Sequence, residues 1–386
     1  MKSRKRTMFV AAAAVLCLVL LAAIAGCAPE DKNVLKIGNV GPLTGEMANY
    51  GINVKQGVEI AVEEANNSGE LGDIILEFIS EDTGGEPAAA ANAFQKLIDR
   101  DQVDVIVGAV LSGETAAGGP IVLDEKIPTI SPSSTAKDLT LDNPYLFRNC
   151  LTDEAQIEQM AQYAIEELGL SRFAILWVNN DYGVSLKKSF EDGVKKGNAE
   201  VIVTESFKDK EENFKGELTT IKSKNPDCLY IAGYYTEAAK AAQQAREQEL
   251  DVQILGADGL CNIAYIDIGG EAVEGTCATS GFYPDDPTPA VQNFVQTYKD
   301  KYGEEPDMFA AQAYDAARIV IEAIKSQGVT LENIKDGTAS ELIREGIAAT
   351  RDFPGITGKT SLDEEGDTIK DVLILKVENG KFVRVR

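Results

Sequence analysis

Two short β-branched runs, Val103–Val107 and Ile127–Ile130, each end in small and hydroxyl residues: G-A-V-L-S-G-E-T after the first and S-P-S-S-T after the second. Hydroxyls and backbone N–H groups at such strand ends donate hydrogen bonds to anions, and open α/β sheets bind their ligands at the carboxyl ends of the strands. Ser112, Ser133, Ser134 and Thr135 are therefore candidates to hold a small carboxylate, although Ser112 and Thr135 taken singly read first as helix caps. Asp258, in G-A-D-G-L beside Gly259, ends a later apolar run, where its carboxylate would meet an ammonium group or simply make an Asp-Gly turn. Tyr50, Tyr182 and Tyr234 follow other strand ends and offer flat apolar walls and cation–π faces, or are partly buried surface aromatics. Donors for an anion on one side and an acceptor for a cation on the other describe an amino-acid zwitterion.

The composition argues against other chemistries. The chain has no histidine, which removes the commonest general base, the Ser-His and Cys-His nucleophile pairs and the commonest metal ligand. No spaced pair of carboxylates stands out, so no catalytic, metal or cofactor site is expected. A formal charge of −25 argues against nucleic acid as a partner. Cys150, Cys228, Cys261 and Cys277 lack the C-x-x-C spacing of zinc sites; they fit disulfides or isolated buried thiols equally.

The elements that must position these residues alternate. Val34–Val40, Ile74–Ile79, Val103–Val107 and Ile127–Ile130 read as strands, with helices from about Tyr50, over Glu86–Arg100 and over Thr115–Glu125 between them. After Pro144–Asp153 the alternation restarts and continues through strands at Phe173–Val178, Val201–Phe207, Cys228–Ala232 and Gln253–Leu255, with one more near Thr276–Ser280. Helices at Pro289–Tyr302, Phe309–Ser326 and about Ser340–Ala349 follow, and the tail from Gly358 changes to antiparallel strands with Glu378-Asn379-Gly380-Lys381 as a hairpin turn. This predicts two doubly wound α/β halves with parallel central sheets. If the strand ends of the two sheets face each other, the loops after the strands line one cleft. At the N-terminus Lys2, Arg4, Lys5 and Arg6 precede an apolar run, Met8–Ala25, that is short for a membrane span and reads as a secretory leader. Ile24-Ala25-Gly26-Cys27 resembles a bacterial lipobox, which implies removal of residues 1–26, acylation of Cys27 and a polar tether over residues 27–33 that holds the protein to the outer face of the cell membrane.

G-P-L-T-G-E-M-A-N-Y-G, S-P-S-S-T-A-K-D-L-T, N-D-Y-G, I-A-G-Y-Y-T-E-A and G-A-D-G, in this order, and G-I-T-G-K-T-S-L-D-E-E-G-D near the end, resemble the branched-chain amino-acid (Leu/Ile/Val) binding proteins. These are the type I periplasmic substrate-binding proteins of ABC transporters. The resemblance implies two Rossmann-like lobes joined by three hinge crossovers, residues 34–149 and 281–370 forming one and residues 150–280 and 371–386 the other. It implies that Ser112, Thr135 and Ser133 bind an α-carboxylate, that Tyr182, Tyr234 and Asp258 face them from the second lobe, and that Tyr50 and Phe309 line the side-chain pocket. It further implies a non-enzymatic receptor that delivers an amino acid, branched-chain or otherwise apolar, to ABC permease subunits. Two residues depart from the family pattern: Asp258 stands where Glu is usual, and Ser133-Ser134 replaces an alanine pair. They leave open a different solute (an amide, a polyol or an aromatic acid), and a sensing receptor of the same fold is the alternative to transport.

Overall fold

A computed structural model describes residues 33–386, so the leader, Cys27 and the tether lie outside the described residues, Asn33 excepted. The first sheet is built from β1 (Val34–Gly41), β2 (Ile75–Asp82), β3 (Val105–Val107), β4 (Thr129–Ser131) and β5 (Leu146–Arg148), wound with helices α1 (Ala48–Ser68), α2 (Pro87–Gln95) and α3 (Ser112–Glu125). Its strand order is β2-β1-β3-β4-β5, and β3 pairs in parallel with β1 and β4. The order reverses between β1 and β3. That is the topological switch point at which such a sheet opens a crevice, and the loops leading to Tyr50 and Ser112 flank it.

The second sheet repeats the plan. Helix α4 (Asp153–Glu166) leads into β6 (Arg172–Val178), α5 (Asp181–Lys196), β7 (Glu200–Phe207), α6 (Lys215–Ser223), β8 (Cys228–Ala232), α7 (Tyr235–Glu247), β9 (Gln253–Gly256), α8 (Ile263–Gly269) and β10 (Cys277–Ser280). The order is β15-β14-β10-β9-β8-β6-β7, so its switch point falls between β6 and β8, beside Tyr182 and Tyr234. Helices α9 (Pro289–Tyr302), α10 (Met308–Ser326), α11 (Leu331–Asp336) and α12 (Ala339–Ala348) follow. Then come a small antiparallel sheet, β11 (Phe353–Gly355), β12 (Gly358–Leu362) and β13 (Thr368–Ile369), and the hairpin β14 (Leu373–Glu378) and β15 (Lys381–Arg384). Strand β14 joins the second sheet antiparallel to β10.

The packing follows from the side chains. On α1, Val54, Val58, Ala61, Val62 and Ala65 recur at helical spacing and are buried, and Gly69 ends the helix in the left-handed region at φ 66°. Helix α1 lies hard against α10: a Cβ on Gly57 would stand 2.1 Å from the carbonyl oxygen of Ala310, so only glycine permits this approach. Helix α10 is buried on nearly every face, as its run of Ala, Ile and Val requires.

The structure departs from the predicted elements at several points, helix α8 among them, where no helix is predicted. Helix α3 begins at Ser112 rather than Thr115, and the stretch Pro144–Asp153 between the two halves holds β5. Helix α2 stops at Gln95 and runs on as a π-turn segment through Asp101. Helix α11 and strands β11 and β13 were not foreseen, being too short to show a period. All four described cysteines are free and buried, which settles the thiol alternative. Among the described residues no helix is long and apolar enough to cross a membrane.

Candidate functional site

The two small-residue loops lie side by side because Ile106 and Val107 of β3 pair with Thr129 and Ile130 of β4. Hydroxyls stitch them together: Ser131 Oγ donates to the Ala109 carbonyl and Ser133 Oγ to that of Val110, both at 2.7 Å. Ser112 Oγ accepts from Ala136 N at 3.2 Å, and Ser134 Oγ lies 2.7 Å from Thr115 Oγ1. Arg148, fully buried at the end of β5, holds the second loop from beneath. Its Nη1 donates to the carbonyls of Ser134 at 3.2 Å and Ala136 at 2.8 Å, and its Nε pairs with Asp367 at 2.6 Å. Behind Ser112, the buried Glu114 accepts from Leu111 N at 3.0 Å and from Thr83 Oγ1. Burial pushes its pKa up to about 7.

On the facing side Tyr182 Oη donates to Asp258 Oδ1 at 2.8 Å and accepts from Gly259 N at 3.1 Å. Gln156 Nε2 donates to the same carboxylate oxygen at 3.1 Å. Gly259 is needed here, since a Cβ would come within 2.8 Å of the Tyr182 hydroxyl and 2.9 Å of the Gly233 carbonyl oxygen. The rings of Tyr182 and Tyr234 stack with centroids 5.1 Å apart. Tyr50 packs on Phe309 at 4.3 Å and edge-on to Tyr235 at 4.8 Å. Its hydroxyl accepts from Tyr235 N at 3.0 Å and donates to the Gly259 carbonyl, so a residue of α1 bonds directly to two loops of the second sheet.

These groups surround a cavity of about 20 Å³ lined by Tyr50, Val110, Leu111, Ser112, Ser133, Tyr182, Tyr234, Asp258, Gly259 and Phe309. A space of that size holds a water or two. A larger groove of about 890 Å³ lies between α10, α12 and β11. The buried acid and the arginine of that groove are already paired, Asp315 with the Ile356 and Thr357 N–H groups and Arg318 with Glu70, whereas the small cavity sits at both switch points.

Eight of the ten residues proposed as ligand contacts thus meet at one cavity. Ser134 and Thr135 do not line it. Ser134 is turned inward to Thr115, and Thr135 Oγ1 lies beside Asp153 without a hydrogen bond of good geometry. Thr135 caps no helix, because the chain after it turns, and its carbonyl accepts from Asp153 N at 2.8 Å. The four aromatics are buried, not surface residues. Sequence reasoning missed Asp153, Gln156 and Arg148. Polar and charged residues predicted to start a helix or lie in a connection carry no sign of burial.

Two α/β sheets whose switch points share one small cavity make this a two-lobed ligand-binding protein. It belongs to the periplasmic binding protein family, whose model matches residues 34–381. The Leu/Ile/Val-binding protein of Escherichia coli is 30% identical over 73% of this chain and 77% of its own length. A leucine-binding protein from Thermotoga maritima superposes with a TM-score of 0.84 at 34% identity, covering 91% of this chain and 98% of that one. The branched-chain amino-acid transporter substrate-binding protein of Streptococcus pneumoniae, solved with isoleucine, gives 0.83 at 31% identity over 91% and 99%.

Proposed function

We propose that the protein is an extracytoplasmic receptor that closes on an apolar amino acid, a branched-chain one first, and delivers it to an ABC permease. One observation carries the reading: hydroxyl and helix N-terminal donors at Ser112 and Ser133 face an acid, Asp258, across a single aromatic-walled cavity. The donors suit an α-carboxylate, Asp258 suits the ammonium group, and Tyr50, Tyr234 and Phe309 suit an apolar side chain. Thr135 does not line the cavity as it stands and is assigned to the carboxylate donors of the opened site, and Ser134 supports the loop rather than the ligand. The similarity to proteins named for leucine, isoleucine and valine supports the same class. The lobes divide as residues 34–149 with 281–370 and residues 150–280 with 371–386. Residues 1–26 are a leader, and lipid on Cys27 anchors the mature chain, which Cys27→Ser would release from the membrane fraction.

The cavity as it stands is smaller than an amino acid, so capture requires the jaws to part or Tyr50 to swing aside. Calorimetry against Leu, Ile, Val, Ala and Phe tests the reading. Binding at about 1 μM or tighter, about −8 kcal/mol, is expected for at least one. No heat and no thermal shift with any of the five would remove the amino-acid assignment.

A further inference from the structure

Gln156, in the first turn of α4, serves two acids with one amide nitrogen: Nε2 lies 3.2 Å from Asp153 Oδ1 and 3.1 Å from Asp258 Oδ1. Thr279 Oγ1 donates to its Oε1 at 2.6 Å, which turns the NH2 toward the carboxylates. Both acids are buried, at 0% and 5% exposure, and the second oxygen of Asp153 has no hydrogen-bond partner. Two carboxylates held this close in a nearly dry site oppose each other's ionisation, and either a proton or an entering cation relieves the repulsion.

The surrounding groups do not cancel it. From β5, Arg148 draws Asp153 toward its charged form, but its Nε and Nη1 are committed to Asp367 and two carbonyls, and its Nη2 is buried without a hydrogen-bond partner. The hydroxyls of Ser185 on α5 and of Thr135 act on Asp153 in the same direction, as Tyr182 does on Asp258. From β8 the buried Tyr230 hydroxyl, itself without a partner, faces both acids, and Lys370 and Cys150 stand further back at the crossovers. Burial outweighs these contacts. Asp153 is pushed up to about 7 by desolvation and then by the Asp258 charge, and Asp258 to about 6 by desolvation.

We propose that Asp153 and Asp258 act as one coupled acid that carries a proton in the free receptor and gives it to solvent when a ligand's ammonium group enters, so that capture is tied to proton release. This rests on the amino-acid reading of the site. The balance is simple: the ammonium group arrives with its own proton, the pair loses one, and the complex holds two carboxylates against one cation. A lone ionised acid would bind the same group with no dependence on pH near neutrality. The coupled pair makes affinity rise with pH, by about tenfold between pH 6 and 8 for one proton, and level off above.

The test is calorimetric titration of the full chain with L-leucine at about pH 6.5, where the pair is part-protonated, in phosphate and in Tris, whose ionisation enthalpies differ. The apparent enthalpy is expected to differ between the buffers by the release of a substantial fraction of a proton, and by much less at about pH 8.5. In Asp153→Asn the difference should fall to the small part that Asp258 alone leaves, while leucine still binds. Equal heats of binding in both buffers for the wild-type protein would overturn the proposal, whatever the variant does. Should leucine give no heat, the amino-acid reading falls separately, and infrared spectra of the ligand-free protein decide the remainder. Glu114 and Glu237 contribute a protonated-carboxyl stretch near pH 6 in every variant, so a loss of part of that intensity in Asp153→Asn or Asp258→Asn sustains the coupled acid, and spectra of the wild type and both variants that coincide overturn it.

Discussion

In the proposed site Asp258 and Ser112 each do two jobs, so truncating either would remove a ligand contact and also strand a protein group. Asp258→Ala leaves the Tyr182 hydroxyl and the Gln156 amide without their shared acceptor inside a buried site. Hydrogen bonds to charged groups are worth about 1.5–3 kcal/mol, so ligand affinity should fall by about 10- to 150-fold. Ser112→Ala removes a hydroxyl that also accepts from Ala136 N, and a neutral bond of about 1 kcal/mol predicts a loss of about fivefold. Calorimetry reads both, and the order is the discriminating result: a larger loss from Ser112→Ala than from Asp258→Ala would place the dominant charge contact elsewhere. Asp258 and Ser112 were legible in the sequence because a small polar residue at the end of an apolar run is conspicuous. Asp153 and Gln156 were not: in T-D-E-A-Q they look like an ordinary acidic first turn, and only the packing of α4 against β10 shows that both are buried.

Helix α1 carries one of the contacts that join the two halves. Its Tyr50 hydroxyl sits between the Gly259 carbonyl and the Tyr235 amide, both from loops of the second sheet. Tyr50→Phe keeps the ring on Phe309 and deletes two hydrogen bonds, each worth about 1 kcal/mol net, which is enough to move a balance between open and closed lobes by about tenfold or more. Small-angle scattering of the ligand-free variant should give a larger radius of gyration than the wild type, and coincident scattering curves would show that the hydroxyl is not a latch. At this scale the sequence was informative where elements were long. The strands that carry the site have β-branched runs, and α1 and α10 have clear periods. Strands β5, β11 and β13 are two or three residues long, and their pairing is dictated by neighbours elsewhere in the chain, as where Arg148 N donates to the Gly366 carbonyl at 3.0 Å. No local pattern announces such edges, so Arg148, which props the anion-side loop, went unseen with them.

For the molecule as a whole, buried acids set the dependence of stability on pH. Glu114, Asp153 and Glu237 are each pushed up to about 7 and Asp258 to about 6, in every case first by burial. A carboxyl whose folded value lies above its unfolded one, near 4, binds its proton more tightly in the native state. It stabilises the fold at low pH, and that contribution is lost as pH rises from about 4 to about 7. The formal charge of −25 works in the same direction, since self-repulsion grows as acids ionise. Against this, Asp82, Asp227 and Asp286 lie below their usual range, held there by hydrogen bonds, and their contribution is lost only below about pH 4. The thermal midpoint of the ligand-free protein is therefore expected to peak near pH 5 and to fall by on the order of 5 °C by pH 7.5. Glu114→Gln and Glu237→Gln should each flatten the slope. A midpoint that climbs from pH 5 to 7.5 would mean that water reaches these acids in the native state. Saturating ligand at about 100 times its Kd adds about 2.7 kcal/mol at any pH. If Asp153 and Asp258 release a proton on capture, a fixed ligand concentration instead raises the midpoint more at pH 8 than at pH 6, so the ligand-free and ligand-bound curves should diverge as pH increases.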